Sequence, residues 1–151
     1  LRKRYPSIQT FANKPKGEVM KKVLIGAVVV FVILEVLDII IHSIILGSVY
    51  ATMQDVWRPD MMQKMWVMHI VKIVVAFMFA FIFSKGYEGK GLMEGVRYGF
   101  YIGLMLSMGF AFGSYASFRI PHQLALQWFI FAMFEYIIAG VGVALVFGKK
   151  K

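Results

Sequence analysis

The sequence contains no cysteine, so neither a disulfide framework nor a thiolate metal site can form, and the redox compartment leaves no mark on it. Catalytic fingerprints are equally missing: nothing resembles a nucleophile elbow, a phosphate-binding P-loop or a dinucleotide glycine motif. No Glu-x-x-His pair occurs, which removes the di-metal pattern of helical bundles. Acidic residues are scarce, eight against seventeen Lys and Arg, for a net charge of +9. That balance would suit nucleic acid if it were spread over a surface. Instead seven of the basic residues lie within the first 22 positions and three close the chain. Basic residues at the flanks of apolar runs orient spans against an anionic leaflet, so no nucleic-acid partner is expected.

What the chain has in abundance is apolar surface: 60% of its 151 residues are hydrophobic and 16% aromatic. A soluble domain of this length could not hide so much from water, so the lipid bilayer is the expected solvent for part of it. Hydropathy and turn residues mark four segments, at about 23–46, 65–83, 92–112 and 124–147. Each is near the ~20 residues an α-helix needs to cross the hydrocarbon core. A transmembrane barrel would show alternating segments of about 10 residues, and none is present. The expected fold is therefore all-α, an integral membrane four-helix bundle, with residues 22–148 as one transmembrane domain. Residues 1–21 read as a basic cytoplasmic arm, or as translated sequence ahead of a start at Met20, and 149–151 as a basic tail. MKKVLIGAVVV resembles a signal peptide, but the apolar run continues without a small-residue cleavage site and reads as a retained span.

Thirteen Lys and Arg fall on the N-terminal arm, the second connection and the tail, against three on the first and third connections. Positive-inside then predicts both termini in the cytoplasm and residence in the cytoplasmic membrane. Gly47-Ser48-Val49-Tyr50-Ala51, Pro59 and Trp66 recur as Gly113-Ser114-Tyr115-Ala116, Pro121 and Trp128. The recurrence suggests two duplicated helix hairpins, with chance similarity as the alternative. Gly91, Gly95, Gly99, Gly103 and Ser107 fall every four residues, with a shorter stripe at Gly140, Ala144 and Gly148. Small residues at that spacing let backbones approach closely in lipid, where packing drives association. They predict either contact between the third and fourth helices or a contact with a second chain.

Glu35, Asp38 and His42 share an arc of roughly 60° at 100° per residue, so their face must point into protein or a wet cavity. Counting from helix centres sets Glu35 level with Glu135, Asp38 with Lys72, and His42 with His69. Glu94 and Arg97, on the inner half of the third span, complete the expected intramembrane polar seam. Its leading reading is a network that fixes helix register. The alternatives are a pathway for protons or a cation through the midplane carboxylates, and a haem or metal site through His42 and His69. Met65 and Met68, beside Met61 and Met62, offer soft thioethers for a cuprous ion, or an interfacial helix start with Trp66. Tyr50, Trp57, Tyr115 and Trp128 read as interfacial anchors. No cofactor is expected. The composite expectation is a non-catalytic membrane protein that acts as a homo-oligomer or within a larger membrane complex.

Overall fold

A computed structural model describes residues 16–148, so the expectations for residues 1–15 and for 149–151 lie outside the described residues. Helix α1 spans Lys16–Asp38 and continues without a break into a π-helical segment, Ile39–Ile45. A short helix α2, Gly47–Ala51, and two single 3-10 turns lead to α3, Met65–Gly86. Helix α4 spans Leu92–Ser117 and α5 spans His122–Phe147. Among the described residues four helices are long and apolar enough to cross a bilayer: Lys16–Ile45, Met62–Gly86, Leu92–Ser117 and His122–Phe147. The chain thus has the build of a multi-pass membrane protein, and the start of α1 and the end of α5 lie at one face, where Lys22 meets Phe147. That face is called the terminal side below, and the opposite one the hairpin side.

The helices end where their chemistry dictates. At the terminal side the loop between α3 and α4 uses Gly89 and Gly91 at φ 82° and 88°, a region L side chains rarely adopt. Glu94, in the first turn of α4, accepts the backbone N–H groups of Glu88 and Lys90. A carboxylate there satisfies orphan donors and complements the helix dipole. On the same side, Lys22 donates to the carbonyl of Phe147 at 2.9 Å, capping the end of α5 with a cation. At the hairpin side Asp60 bridges Arg58 and Lys64 at 3.0 and 3.2 Å, and these cations hold its carboxyl below the usual range.

Helix α5 packs closely on α4 and on α1, α1 packs on α3, and α3 meets α5 and α4 through the rings of Phe79 and Phe83. The α4–α5 contact is the closest. A Cβ built on Gly95 would lie 2.1 Å from the Gly140 carbonyl oxygen, and one on Gly99 would lie 2.2 Å from that of Tyr136. Gly103, Ser107 and Ala111 continue the buried stripe. Gly91 departs from it: it precedes the helix, and a Cβ there would meet nothing within 4 Å. The two hairpins are unequal in packing. Trp66 at the start of α3 is exposed, whereas Trp128 is buried.

Two apolar clusters result. One, toward the terminal side, joins Val30 and Leu34 of α1 to Phe79 and Phe83 of α3 and Ala139 and Val143 of α5. Tyr98 of α4 closes it by donating to the Phe79 carbonyl at 2.7 Å. The other, toward the hairpin side, joins Ile41 and Leu46 to Ala111, Leu124 and Trp128. Between them, at the level of Glu35, Asp38, Lys72 and Glu135, lies a polar layer.

Candidate functional site

The polar layer starts from spacing. Glu35 and Asp38 lie three residues apart on α1, and His69 and Lys72 three apart on α3, so each pair shares a helix face. Packing α1 on α3 brings the two faces together. The Lys72 ammonium contacts Asp38 Oδ2 at 2.7 Å and Glu35 Oε2 at 3.0 Å. His69 donates from Nδ1 to Glu35 Oε1 at 2.7 Å. From α5, Glu135 faces Asp38 and Lys72 and is 7% exposed. The midpoint of α5 falls between Phe134 and Glu135, so this carboxyl lies at mid-helix. Lys72 lies two residues from the midpoint of its span, about 3 Å along the axis.

A second branch runs toward the hairpin side. After Asp38 the helix widens, with Leu46 N–H bonding to the Ile41 carbonyl at 2.8 Å, a five-residue step. Five isoleucines crowd this seven-residue segment, and branching at Cβ disfavours the tighter α-turn. On this widened segment His42 stays beside Asp38 and also reaches Tyr50 on α2. His42 Nδ1 meets the Tyr50 hydroxyl at 2.5 Å, and Trp128 Nε1 donates to that hydroxyl at 2.7 Å. The direction of these bonds follows from what each group can do. Indole N–H only donates, so the Tyr50 oxygen accepts it and keeps its own proton to give. Burial pushes the Tyr50 hydroxyl up to about 12, so the proton stays in place to be donated. His42 then accepts at Nδ1 and carries its hydrogen on Nε2, which lies 3.4 Å from Asp38 Oδ1.

These contacts revise the seam expected from counting. Asp38 and Lys72 do meet. Glu35 takes His69 and Lys72, Glu135 takes Asp38, and His42 takes Asp38 and Tyr50, so the three expected levels collapse into one lattice. The reason is reach. Lys and Glu side chains extend about a helical turn along the axis, and α1 begins at Lys16, which moves Glu35 toward the hairpin side of its span. Glu94 and Arg97 leave the seam: Glu94 is spent on the α3–α4 loop, and Arg97 is exposed on α4. His42 and His69 do not converge, each being bound to its own carboxylate. Met65 and Met68 point outward, and among the described residues no group of three or more His, Asp or Glu is placed to hold a metal ion.

Tyr50 and Trp128 belong to the site although their residue types first suggest headgroup anchors. Tyr50, Trp57 and Trp128 form one aromatic cluster, with Trp57 edge-on to Tyr50 at 5.3 Å, and Phe110 stacks on Trp128 at 5.3 Å. The signal for Trp128 was its position seven residues past Pro121, about 10 Å along the helix and too deep for a headgroup anchor. No signal in the sequence linked Tyr50 to His42, because the π-segment sets that contact.

No protein-family model, curated protein or solved structure matches the chain. Its site must be read from its own chemistry.

Proposed function

We propose that the chain is a non-catalytic membrane subunit that works in an assembly, with copies of itself or within a larger complex. The same reading sets it in the cytoplasmic membrane with both termini in the cytoplasm, following the distribution of its basic residues. The observation that carries the proposal is His69. Its side chain is 52% exposed while bound to Glu35, five residues from the midpoint of its span. That is about 7.5 Å from the centre of a hydrocarbon layer some 30 Å thick. A polar ring bonded to a carboxylate at such depth needs a protein or aqueous neighbour. The half of α3 around it, from Met65 to Val74, is exposed apart from Lys72, so a second chain lying there would cover polar and apolar atoms together.

The absence of cysteine makes the test direct. Single cysteines at Ile70 or Val74, on this face of α3, are expected to cross-link to a neighbouring chain in native membranes. A cysteine at Phe134, exposed on α5, serves as the lipid-facing control and is expected to stay single. A lone monomer in mild detergent, with no cross-link from α3 in membranes, would overturn the reading.

The unbroken run of ionisable groups from Glu135 to His69 favours a second reading, a small proton- or cation-coupled transporter. On that reading Glu35→Gln and Glu135→Gln each abolish flux in reconstituted vesicles, and unchanged flux removes it.

A further inference from the structure

One carboxyl in the polar layer stands apart from the others. Both oxygens of Glu35 have partners, His69 at 2.7 Å and Lys72 at 3.0 Å. Both oxygens of Asp38 have partners, Lys72 at 2.7 Å and His42 at 3.4 Å. Glu135 differs. Its Oε1 is buried with no hydrogen-bond partner, and the group it faces across the α1–α5 contact is another carboxyl, Asp38. The charged groups turned toward it are Asp38 from α1 and Lys72 from α3, with Tyr136 beside it on α5. From α4, the stripe packed against α5 is glycine, serine and alanine.

Lys72 and the imidazoles are committed to Glu35 and Asp38, so among the described residues no further cation of the layer is left for Glu135. An unpaired carboxylate at mid-membrane is among the costliest groups a protein can bury, and two carboxyls in contact cannot both ionise cheaply. The site must therefore take up positive charge. A metal ion would need several oxygen ligands around it, and among the described residues no such group exists. A proton needs only the two carboxyls, one to carry it and one to accept the hydrogen bond.

Access to this position is one-sided. Toward the hairpin side, Asp38 leads to His42, whose side chain is 41% exposed, and on to Tyr50. Imidazole can receive a proton at one nitrogen and release one from the other, so His42 can relay protons without changing place. Toward the terminal side, Leu34, Ala76, Phe79 and Ala139 close the path with apolar atoms. We propose that Glu135 is a binding site for one exchangeable proton, donated in a hydrogen bond to Asp38 and exchanged with the hairpin side through His42. The transfer balances: His42 first takes up a proton at Nδ1 from the hairpin side and becomes imidazolium, then releases its Nε2 proton to Asp38, and Asp38 passes that proton to Glu135. This holds whether the chain assembles or stays single, so it and the assembly reading stand or fall separately.

Infrared spectroscopy of the whole chain in lipid nanodiscs, with carboxyl-13C glutamate to separate its bands from lipid esters, tests the site. At neutral pH the wild type is expected to show a carboxylic-acid carbonyl band that shifts in heavy water. Glu135→Gln should lose the band, and Glu35→Gln should keep it. Absence of the band, or its survival in Glu135→Gln, would overturn the proposal. If Glu135→Gln fails to fold, Asp38→Asn decides: exchanging the acceptor of the hydrogen bond should shift the Glu135 band, and an unmoved band counts against the pair. For the route, His42→Gln should slow the heavy-water shift several-fold, and an unchanged rate would overturn access through His42.

Discussion

Lys72→Met is expected to lower the stability of the folded chain by about 3–5 kcal/mol, the usual consequence of removing one partner from a buried ionic cluster. The size follows from what is left behind. Among the described residues Lys72 is the only ammonium touching Glu35 and Asp38, at 3.0 and 2.7 Å, and both carboxylates are largely covered. Without it each keeps one imidazole, and the cluster becomes an excess of negative charge between two apolar layers. Unpaired charge at that depth costs at least ~2.5 kcal/mol for a single group. The loss should come from stranded charge and not from lost attraction, which a second variant separates. Combining Lys72→Met with Glu35→Gln and Asp38→Asn removes all three charges and should restore most of the stability. Unfolding in mixed micelles by increasing SDS gives the midpoints. If the triple variant is no more stable than Lys72→Met alone, the stranded-charge account is wrong and the lattice contributes through its geometry.

Gly99→Ala should be the second severe change, although it adds one methyl group. Its Cβ would lie 2.2 Å from the Tyr136 carbonyl oxygen and 2.8 Å from Ile137 Cα. Both obstacles are backbone, so no rotamer change relieves the clash. Helices α4 and α5 would have to separate, weakening the contact from Gly95 to Gly103 along its length. In lipid there is little hydrophobic gain to offset such a loss, because chains of lipid are as apolar as the side chains. Overpacking of this kind costs about 1–3 kcal/mol and sometimes more. Gly109→Ala and Gly113→Ala, on the same helix with nothing within 4 Å, are the controls. Each should be neutral or gain up to about 1 kcal/mol from helix propensity. Equal SDS midpoints for Gly99→Ala and Gly109→Ala would show that the close approach does not bear on stability.

Much of the architecture was legible along the chain. Four apolar runs of spanning length, bounded by Gly, Pro, Lys and Asp, dictate helices whatever their neighbours, because backbone groups in lipid must bond within the helix. The four-residue spacing from Gly95 to Ser107 marks a face where a backbone can come close, though not which backbone would. The membership of the polar layer was also mostly legible: six of the eight residues named from the sequence meet there. Ionisable groups are costly enough in an apolar run to reveal themselves by type alone.

Their partners were not legible, and the reason is geometric. Counting residues from helix centres resolves depth to about a turn, while Lys72 and Glu35 reach across a turn and choose partners within it. Arg97 and Glu94 share a helix face with tyrosines in the sequence, yet the loop at Gly89 and Gly91 claims one and the outer surface takes the other. Trp128 and Tyr50 look like anchors by residue type and became hydrogen-bonding partners of one another once α5 and α2 were brought together.

Residue order was thus sufficient for what depends on a helix and its solvent: four helices of spanning length, and a set of ionisable groups too costly to leave in lipid. Everything that depends on two helices at once came only from their packing. The π-segment after Asp38 brings His42 to Tyr50, the packing of the four helices leaves the hairpin half of α3 uncovered, and the α1–α5 contact sets Glu135 against Asp38. Such contacts rest on distances of a few ångströms between elements far apart in the chain, and local pattern carries no information about them.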